Sequence, residues 1–189
     1  MKKFAILTLV LSLLLVLPAL AEDTTAAEEE GTTVDAIVMD WNQDVIDAFV
    51  AAGLDGNIAT VTLPDGLTFD MLIPEGFEQR ELTEEEEQMG VNLALANEAT
   101  GAMIRILDCT FEGINDISGI AQSLLSLNPE TAIQFALING TPALISGIQE
   151  DDSVNITFDL DNSRFVQFDF APLEGNNLLA QFFIASIQF

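Results

Sequence analysis

Residues 154–170 read VNITFDLDNSRFVQFDF, and apolar and polar side chains alternate along both halves of this stretch. Such alternation places the two sets of side chains on opposite faces of a β-strand. The halves are separated by residues 161–163, DNS, which are residue types that favour turns. A three-residue turn sets Phe158 opposite Val166 and gathers the apolar side chains on one face, whereas a slip of one residue would expose them. The stretch therefore predicts a β-hairpin with one buried face.

A second hairpin is predicted directly before this one. Segments 131–138 and 141–148 flank an Asn-Gly pair at 139–140, which is a strong signal for a two-residue turn. That turn sets Phe135 opposite Leu144. Together the two hairpins predict four consecutive antiparallel strands whose apolar face has to be covered by other elements.

The rest of the chain carries further hairpin and helix patterns. Apolar residues at alternate positions predict hairpins, and apolar residues at three-to-four spacing predict helices. Thr83 followed by glutamates resembles a capping box that begins a short acidic helix. Residues 176–189 are apolar nearly all round, so both a helix and a strand from Gln181 remain open. The other predicted hairpins span 58–74 and 91–108. The other predicted helices span 115–127 and 32–53, and in the second of these a break near Trp41 and Asn42 remains open.

The first residues have the pattern of a secretory signal peptide. Lys2 and Lys3 precede an apolar run that is shorter than the roughly 20 residues a membrane span needs, and small residues precede a cleavage point after Ala21. The only cysteine, Cys109, lies far from that point, so a lipoprotein is not expected. We therefore expect a secreted or extracytoplasmic protein with no membrane span after cleavage. The predicted regions are 1–21, signal peptide; 22–31, acidic disordered tether; and 32–189, a single α+β domain that opens with an N-terminal helical extension over 32–53.

The charge of the chain is strongly negative. It carries 31 Asp and Glu against 5 Lys and Arg, a formal charge of −26, and loss of Lys2 and Lys3 with the signal peptide would make it more negative still. Nothing could neutralise a phosphate backbone, so nucleic acid is excluded as a partner. The balance favours cations, basic proteins or a solvated, self-repelling surface.

The residue types present after position 21 restrict the possible chemistry. There is no His, Lys or Tyr, and a single Cys. This removes Ser-His-Asp and Cys-His catalysis, the usual zinc ligands and lysine chemistry. Paired carboxylates remain, so a carboxylate-only glycoside hydrolase is a distant alternative. We expect that the protein is not an enzyme and uses no cofactor.

Calcium binding is the first alternative function. Calcium takes carboxylate and carbonyl oxygens. The antiparallel order of the strands places loop 150–152 at the same end of the sheet as loop 171–175, so acidic side chains of the two loops can converge. The residues of this candidate cation site are Glu150, Asp151, Asp152 and Glu174.

The outer face of the last hairpin suggests a place for a protein partner. Phe165 is its only apolar residue. It is either covered by a helix or available as an anchor for a partner. The residues of this face are Asn155, Thr157, Asp159, Phe165, Gln167 and Asp169.

One stretch resembles the opening of PsbP-like domains. Residues 63–77, LPDGLTFDMLIPEGF, are similar to the strand end of that family in which a Phe is followed, after three residues, by Ile-Pro-x-Gly-aromatic. Residues 138–143, INGTPA, resemble a hairpin of the same family, and the likeness extends over about 58–187. The matching positions of the first stretch are Phe69, Ile73, Pro74, Gly76 and Phe77.

The resemblance implies an α/β/α sandwich around an antiparallel sheet. Proteins of this superfamily are mostly adaptors, among them an extrinsic photosystem subunit, a nuclear-transport cofactor and the DcrB-like proteins of bacterial envelopes. They share no catalytic motif, so the resemblance carries no catalytic residue to this chain. The sequence as a whole predicts an exported accessory protein that binds an unknown protein partner at or outside the cell envelope.

Overall fold

The computed structural model describes residues 36–147, 152–160 and 164–189, and these residues form ten strands and four helices. The predicted signal peptide and acidic tether lie outside them. The strands are β1 (Ile37–Met39), β2 (Gly56–Thr62), β3 (Thr68–Pro74), β4 (Glu78–Gln79), β5 (Val91–Asn97), β6 (Ala102–Cys109), β7 (Ala132–Ile138), β8 (Thr141–Gly147), β9 (Val154–Leu160) and β10 (Arg164–Ala171). The helices are α1 (Gln43–Ala51), α2 (Glu84–Gln88), α3 (Ile117–Leu127) and α4 (Asn177–Ser186).

Eight of the strands form one sheet in the order β1-β7-β8-β9-β10-β6-β5-β4. All neighbouring strands are antiparallel except β1 and β7, which are parallel. Both predicted registers are confirmed, because Phe158 pairs with Val166 and Phe135 pairs with Leu144. Strands β2 and β3 form a separate two-stranded sheet, which is the hairpin predicted over 58–74.

The main core lies on one face of the large sheet. Phe158, Phe168 and Phe170 of β9 and β10 are fully buried there. Helix α4 covers them with Phe183, and β3 covers them with Phe69, whose ring centroid lies 5.2 Å from that of Phe168. Burial of so many large apolar side chains is the main source of stability in such a fold.

Helices cover both faces of the large sheet, as an α/β/α sandwich requires. Helix α1 packs outside α4, where the rings of Phe49 and Phe182 lie 5.4 Å apart. Helix α3 covers the opposite face with Ile120 and Ala121, which pack against Leu144. The predicted α+β class is thus confirmed by the architecture.

The predicted helix over 32–53 is wrong in its first part. Residues 37–39 form the edge strand β1, where Ile37 pairs with Ala136 of β7. The helix begins only after Asn42, whose side chain caps it by accepting hydrogen bonds from two backbone N–H groups. Ile and Val are β-branched and suit a strand, so their helical spacing misled the prediction. Residues 32–35 lie outside the described residues.

The open question over residues 176–189 is resolved in favour of a helix. Helix α4 spans Asn177–Ser186 and is buried on nearly every side because it lies between the large sheet, β3 and α1. The strand alternative from Gln181 is wrong. Only Gln188 pairs as a strand, through two backbone hydrogen bonds with Asp70 of β3.

Candidate functional site

Phe165 is fully buried and is not available to a partner. It lies on β10 beneath α3, in a cluster with Ile120 and Ala121, and its ring centroid lies 5.6 Å from that of Phe111. The interpretation of Phe165 as an interface anchor is therefore wrong. The structure shows the other alternative, in which the helix Ile117–Leu127 covers Phe165.

The two acidic loops of the candidate cation site do meet at one end of the sheet. The Asp152 carboxylate accepts a hydrogen bond of 3.0 Å from the backbone N–H of Glu174, and the Asp152 carbonyl accepts one from Leu173. Glu150 and Asp151 lie outside the described residues. Among the residues that are described, no three His, Cys, Asp or Glu side chains are placed to hold a metal ion. The cation site stays a prediction from the sequence.

The three arginines that follow the predicted signal peptide all contact carboxylates of the chain itself. The guanidinium of Arg80 forms a two-bond pair with Glu86, which also closes the capping box of α2 with Thr83. These contacts hold the pKa of Glu86 at about 2, with the Arg80 hydrogen bond as the largest cause. Arg164 pairs with Asp108 at 2.7 Å and also contacts Asp65.

The third pair, Arg105 and Asp169, lies on the sheet face that α3 covers elsewhere. Arg105 of β6 is the cross-strand partner of Asp169 of β10, and their charged atoms are 3.2 Å apart. Asp169 also accepts a hydrogen bond of 2.8 Å from Gln167, and Asn155 of β9 is its cross-strand partner on the other side. The same row of side chains continues to Ser146 of β8. Four adjacent strands thus present a polar row: Ser146, Asn155, Asp169 and Arg105.

Burial sets the electrostatics of this polar row. Asp169 is only 9% exposed, and desolvation raises its pKa, although Gln167 and Arg105 act in the opposite direction. The row can offer hydrogen bonds, but its single positive group is already matched by Asp169. Alternation along β10 predicts that Asp169 lies on the outer face. The sequence does not predict its pairing with Arg105, because it does not reveal that β6 and β10 are neighbours.

The exterior that results is anionic. Four carboxylates, those of Asp65, Glu86, Asp108 and Asp169, share the three guanidinium groups, while the chain carries 31 Asp and Glu in all. None of the helices within the described ranges is long and apolar enough to cross a membrane.

The comparisons with known proteins show a likeness of shape but none of sequence. No family model matches the chain, and no curated protein sequence matches it. The solution structure of cyanobacterial PsbP (CyanoP) from Synechocystis sp. PCC 6803 is similar, with a TM-score of 0.46 and 8% sequence identity over 71% of this chain and 93% of that chain.

Proposed function

We propose that the protein is exported after removal of residues 1–21 and acts without catalysis as an accessory protein that binds a basic protein partner. The observation that carries the proposal is the pairing of every arginine after the signal peptide with a carboxylate of the chain. Because no other cation follows residue 21, the field around the protein is negative. Such a field raises the association rate of positively charged partners.

The test is cross-linking in cells that make the protein, followed by binding measurements with the purified partner. We expect one dominant partner with a basic contact surface and an affinity that falls steeply as NaCl is added, since salt screens exposed charges. An unrelated folded protein of similar negative charge serves as the control for unspecific attraction. A partner that binds this protein and the control protein equally well would contradict the proposal. A partner whose affinity does not depend on the NaCl concentration would contradict it too.

Export is tested on the same material. The protein recovered outside the cytoplasm should begin at Glu22, which N-terminal sequencing or mass measurement would show. A protein that keeps residues 1–21 and stays in the cytoplasm would contradict this part of the proposal.

Calcium binding is the second candidate, and the approach of the two acidic loops favours it. The backbone N–H of Glu174 donates a hydrogen bond to the Asp152 carboxylate, so the two acidic loops are in contact. The thermal midpoint is to be compared in CaCl2, MgCl2 and NaCl at equal ionic strength. A saturable rise with calcium alone, lost in Asp152→Asn, would support a specific site coupled to folding. Equal effects of the three salts would mean screening alone and would end this alternative.

A further inference from the structure

Strand β2 has one paired edge and one open edge. It pairs with β3 along its whole length, from Gly56 to Thr62. Hydrogen bonds between antiparallel strands involve alternate residues. The bonds from Leu63 to Leu67 and from Glu75 to Asp55 show that the odd-numbered residues of β2 face β3. The backbone groups of the even-numbered residues therefore face the open edge: Gly56, Ile58, Thr60 and Thr62.

These outward backbone groups are almost all unused. The N–H of Gly56 is bonded to the neighbouring carboxylate of Asp55 at 2.7 Å. Within the part of the chain that the structure describes, the N–H groups of Ile58, Thr60 and Thr62 have no hydrogen-bond partner. The strand thus presents a row of donors and acceptors that another extended chain can match.

The large sheet protects its edges, whereas β2 does not. The large sheet ends in β1, which has three residues, and in β4, which has two. Strand β2 has seven residues, GNIATVT, and contains no proline and no charged side chain. Short edge strands, proline and charge are the usual devices against strand addition. Their absence along β2 marks it as the sheet edge best suited to receive a further strand.

A pocket lies beside the first residues of β2. It has a volume of about 290 Å³ and is open to solvent. Two exposed acidic residues, Asp55 and Glu75, line the pocket. The backbone N–H of Glu75 donates a hydrogen bond of 2.8 Å to the carbonyl of Asp55. A strand added along β2 would pass this pocket and could place one side chain in it. The lining residues are Asp55, Gly56, Asn57, Ile73, Pro74, Glu75, Gly76 and Phe77.

We propose that β2 receives an extended segment of the basic protein partner as a third strand, with a Lys or Arg side chain of that segment held beside Asp55 and Glu75. The inference rests on the proposed function and names the surface that performs it. Charge complementarity selects the occupant, because the pocket offers two carboxylates and a second copy of this chain would itself be strongly negative. Backbone hydrogen bonds would supply affinity, and the pocket would supply specificity.

Substitutions of Ile58 test the open edge of β2 without removing a hydrogen bond between β2 and β3. Ile58→Pro removes an outward N–H but no hydrogen bond to β3, and proline is tolerated on edge strands. Ile58→Thr is the matched control, because it changes the same half-exposed side chain and keeps the N–H. Thr62→Pro is a second edge variant in case Ile58→Pro does not fold, which urea unfolding would show. The double variant Asp55→Asn, Glu75→Gln removes the charge of the pocket.

The probe is the peptide Lys-Val-Thr-Val-Thr-Val-Lys, compared with the same peptide carrying Glu at both ends. Amide hydrogen exchange and NMR titration report the contact residue by residue. We expect the Lys peptide to slow exchange at Ile58, Thr60 and Thr62, and the Glu peptide to have little effect. Loss of one hydrogen bond and the strain of proline should weaken binding to Ile58→Pro by about tenfold, with Ile58→Thr close to the unmodified protein.

Four results would overturn this inference. The first is binding of the Lys peptide to Ile58→Pro and Thr62→Pro that is as tight as its binding to the unmodified protein. The second is protection by the Lys peptide of amides elsewhere in the protein, or of none. Protection of the three outward amides that grows with protein concentration alone would show that a second copy occupies the edge. If a cross-linked partner binds Ile58→Pro as tightly as the unmodified protein, the proposed function remains intact. Only the assignment of the open edge of β2 as the binding surface is then refuted.

Discussion

The side-chain oxygen of Asn139 accepts a hydrogen bond of 2.7 Å from the backbone N–H of Trp41. The amide nitrogen of the same side chain donates to the carbonyls of Ala185 and Ile187, each at 2.8 Å. Asn139 has a φ of 47°, in the left-handed region that asparagine tolerates better than most residues. One side chain in the β7–β8 turn thus joins the segment before α1 to the end of α4.

Replacement of Asn139 by Asp should destabilise the protein clearly. Aspartate tolerates the same backbone conformation and can still accept from Trp41, but an ionised carboxylate cannot donate to the two carbonyls. Leaving partly buried carbonyls without donors should lower the free energy of unfolding by about 2 kcal/mol. Urea unfolding at neutral pH measures the change.

Asn42→Asp is the matched control for this substitution. The oxygen of Asn42 accepts from the backbone N–H groups of Asp44 and Val45 at the start of α1. Aspartate caps helices as well as asparagine does, so the free energy of unfolding should change by less than about 0.5 kcal/mol. Equal losses in the two variants would show that the added charge, and not the lost donors, is responsible.

Phe165→Ser should cause a large loss of stability. The ring is completely buried beneath α3 and contacts Phe111. Removing a buried aromatic ring costs about 3 kcal/mol or more, because it leaves a cavity and, here, a buried hydroxyl. Thermal or urea unfolding measures the loss. Leu127→Ser on α3 is the control, since Leu127 is 81% exposed. A stable Phe165→Ser variant would contradict the burial.

The β-hairpins could be predicted because their signals are local. Alternation along β9 and β10 fixes which side chains share a face, and the burial of Phe158 and Phe168 requires the observed register. Strand β1 could not be predicted in this way. Its three residues fit a helical spacing equally well, and the strand it pairs with, β7, begins at Ala132, far along the chain.

The sites depend on contacts that no local pattern contains. The outer-face position of Asp169 follows from alternation, yet its partner Arg105 lies on β6, which is not consecutive with β10. The open edge of β2 is a similar case. The hairpin of β2 and β3 is readable from the sequence, but its separation from the large sheet is a tertiary arrangement. Composition alone could indicate the negative charge of the chain, on which the proposed function depends.

Asp169 and Glu86 should affect the pH dependence of stability in opposite ways. Burial raises the pKa of Asp169 above its ordinary value of 3.8, so the folded state binds more protons there than the unfolded state. The contribution of Asp169 to stability therefore falls as pH rises from 3.8 through the raised pKa. The pKa of Glu86 is lowered from 4.5 to about 2, so its contribution is complete above pH 4.5 and is lost as pH falls toward 2.

Urea unfolding of Asp169→Asn and Glu86→Gln at several pH values tests these signs. The stability of the unmodified protein relative to Asp169→Asn should increase as the pH is lowered from neutral to about 4. Relative to Glu86→Gln, it should decrease as the pH is lowered below 4.5. Parallel curves for the two variants would contradict the assignment of opposite shifts.

Cys109 should be unreactive while the protein is folded. Burial is the main cause that raises the pKa of its thiol to about 11, and the carboxylates of Asp108 and Asp169 add to the shift. Only the thiolate reacts with alkylating reagents. Compared with the ordinary value of 9.0, this pKa reduces the thiolate fraction near pH 8 by about 100-fold.

Because Cys109 is the only cysteine, the rate of modification by iodoacetamide reports this thiol alone. The same reaction in urea is the control, since unfolding removes the burial. A folded protein that reacts as fast as the unfolded one would contradict the burial of this thiol beneath α3.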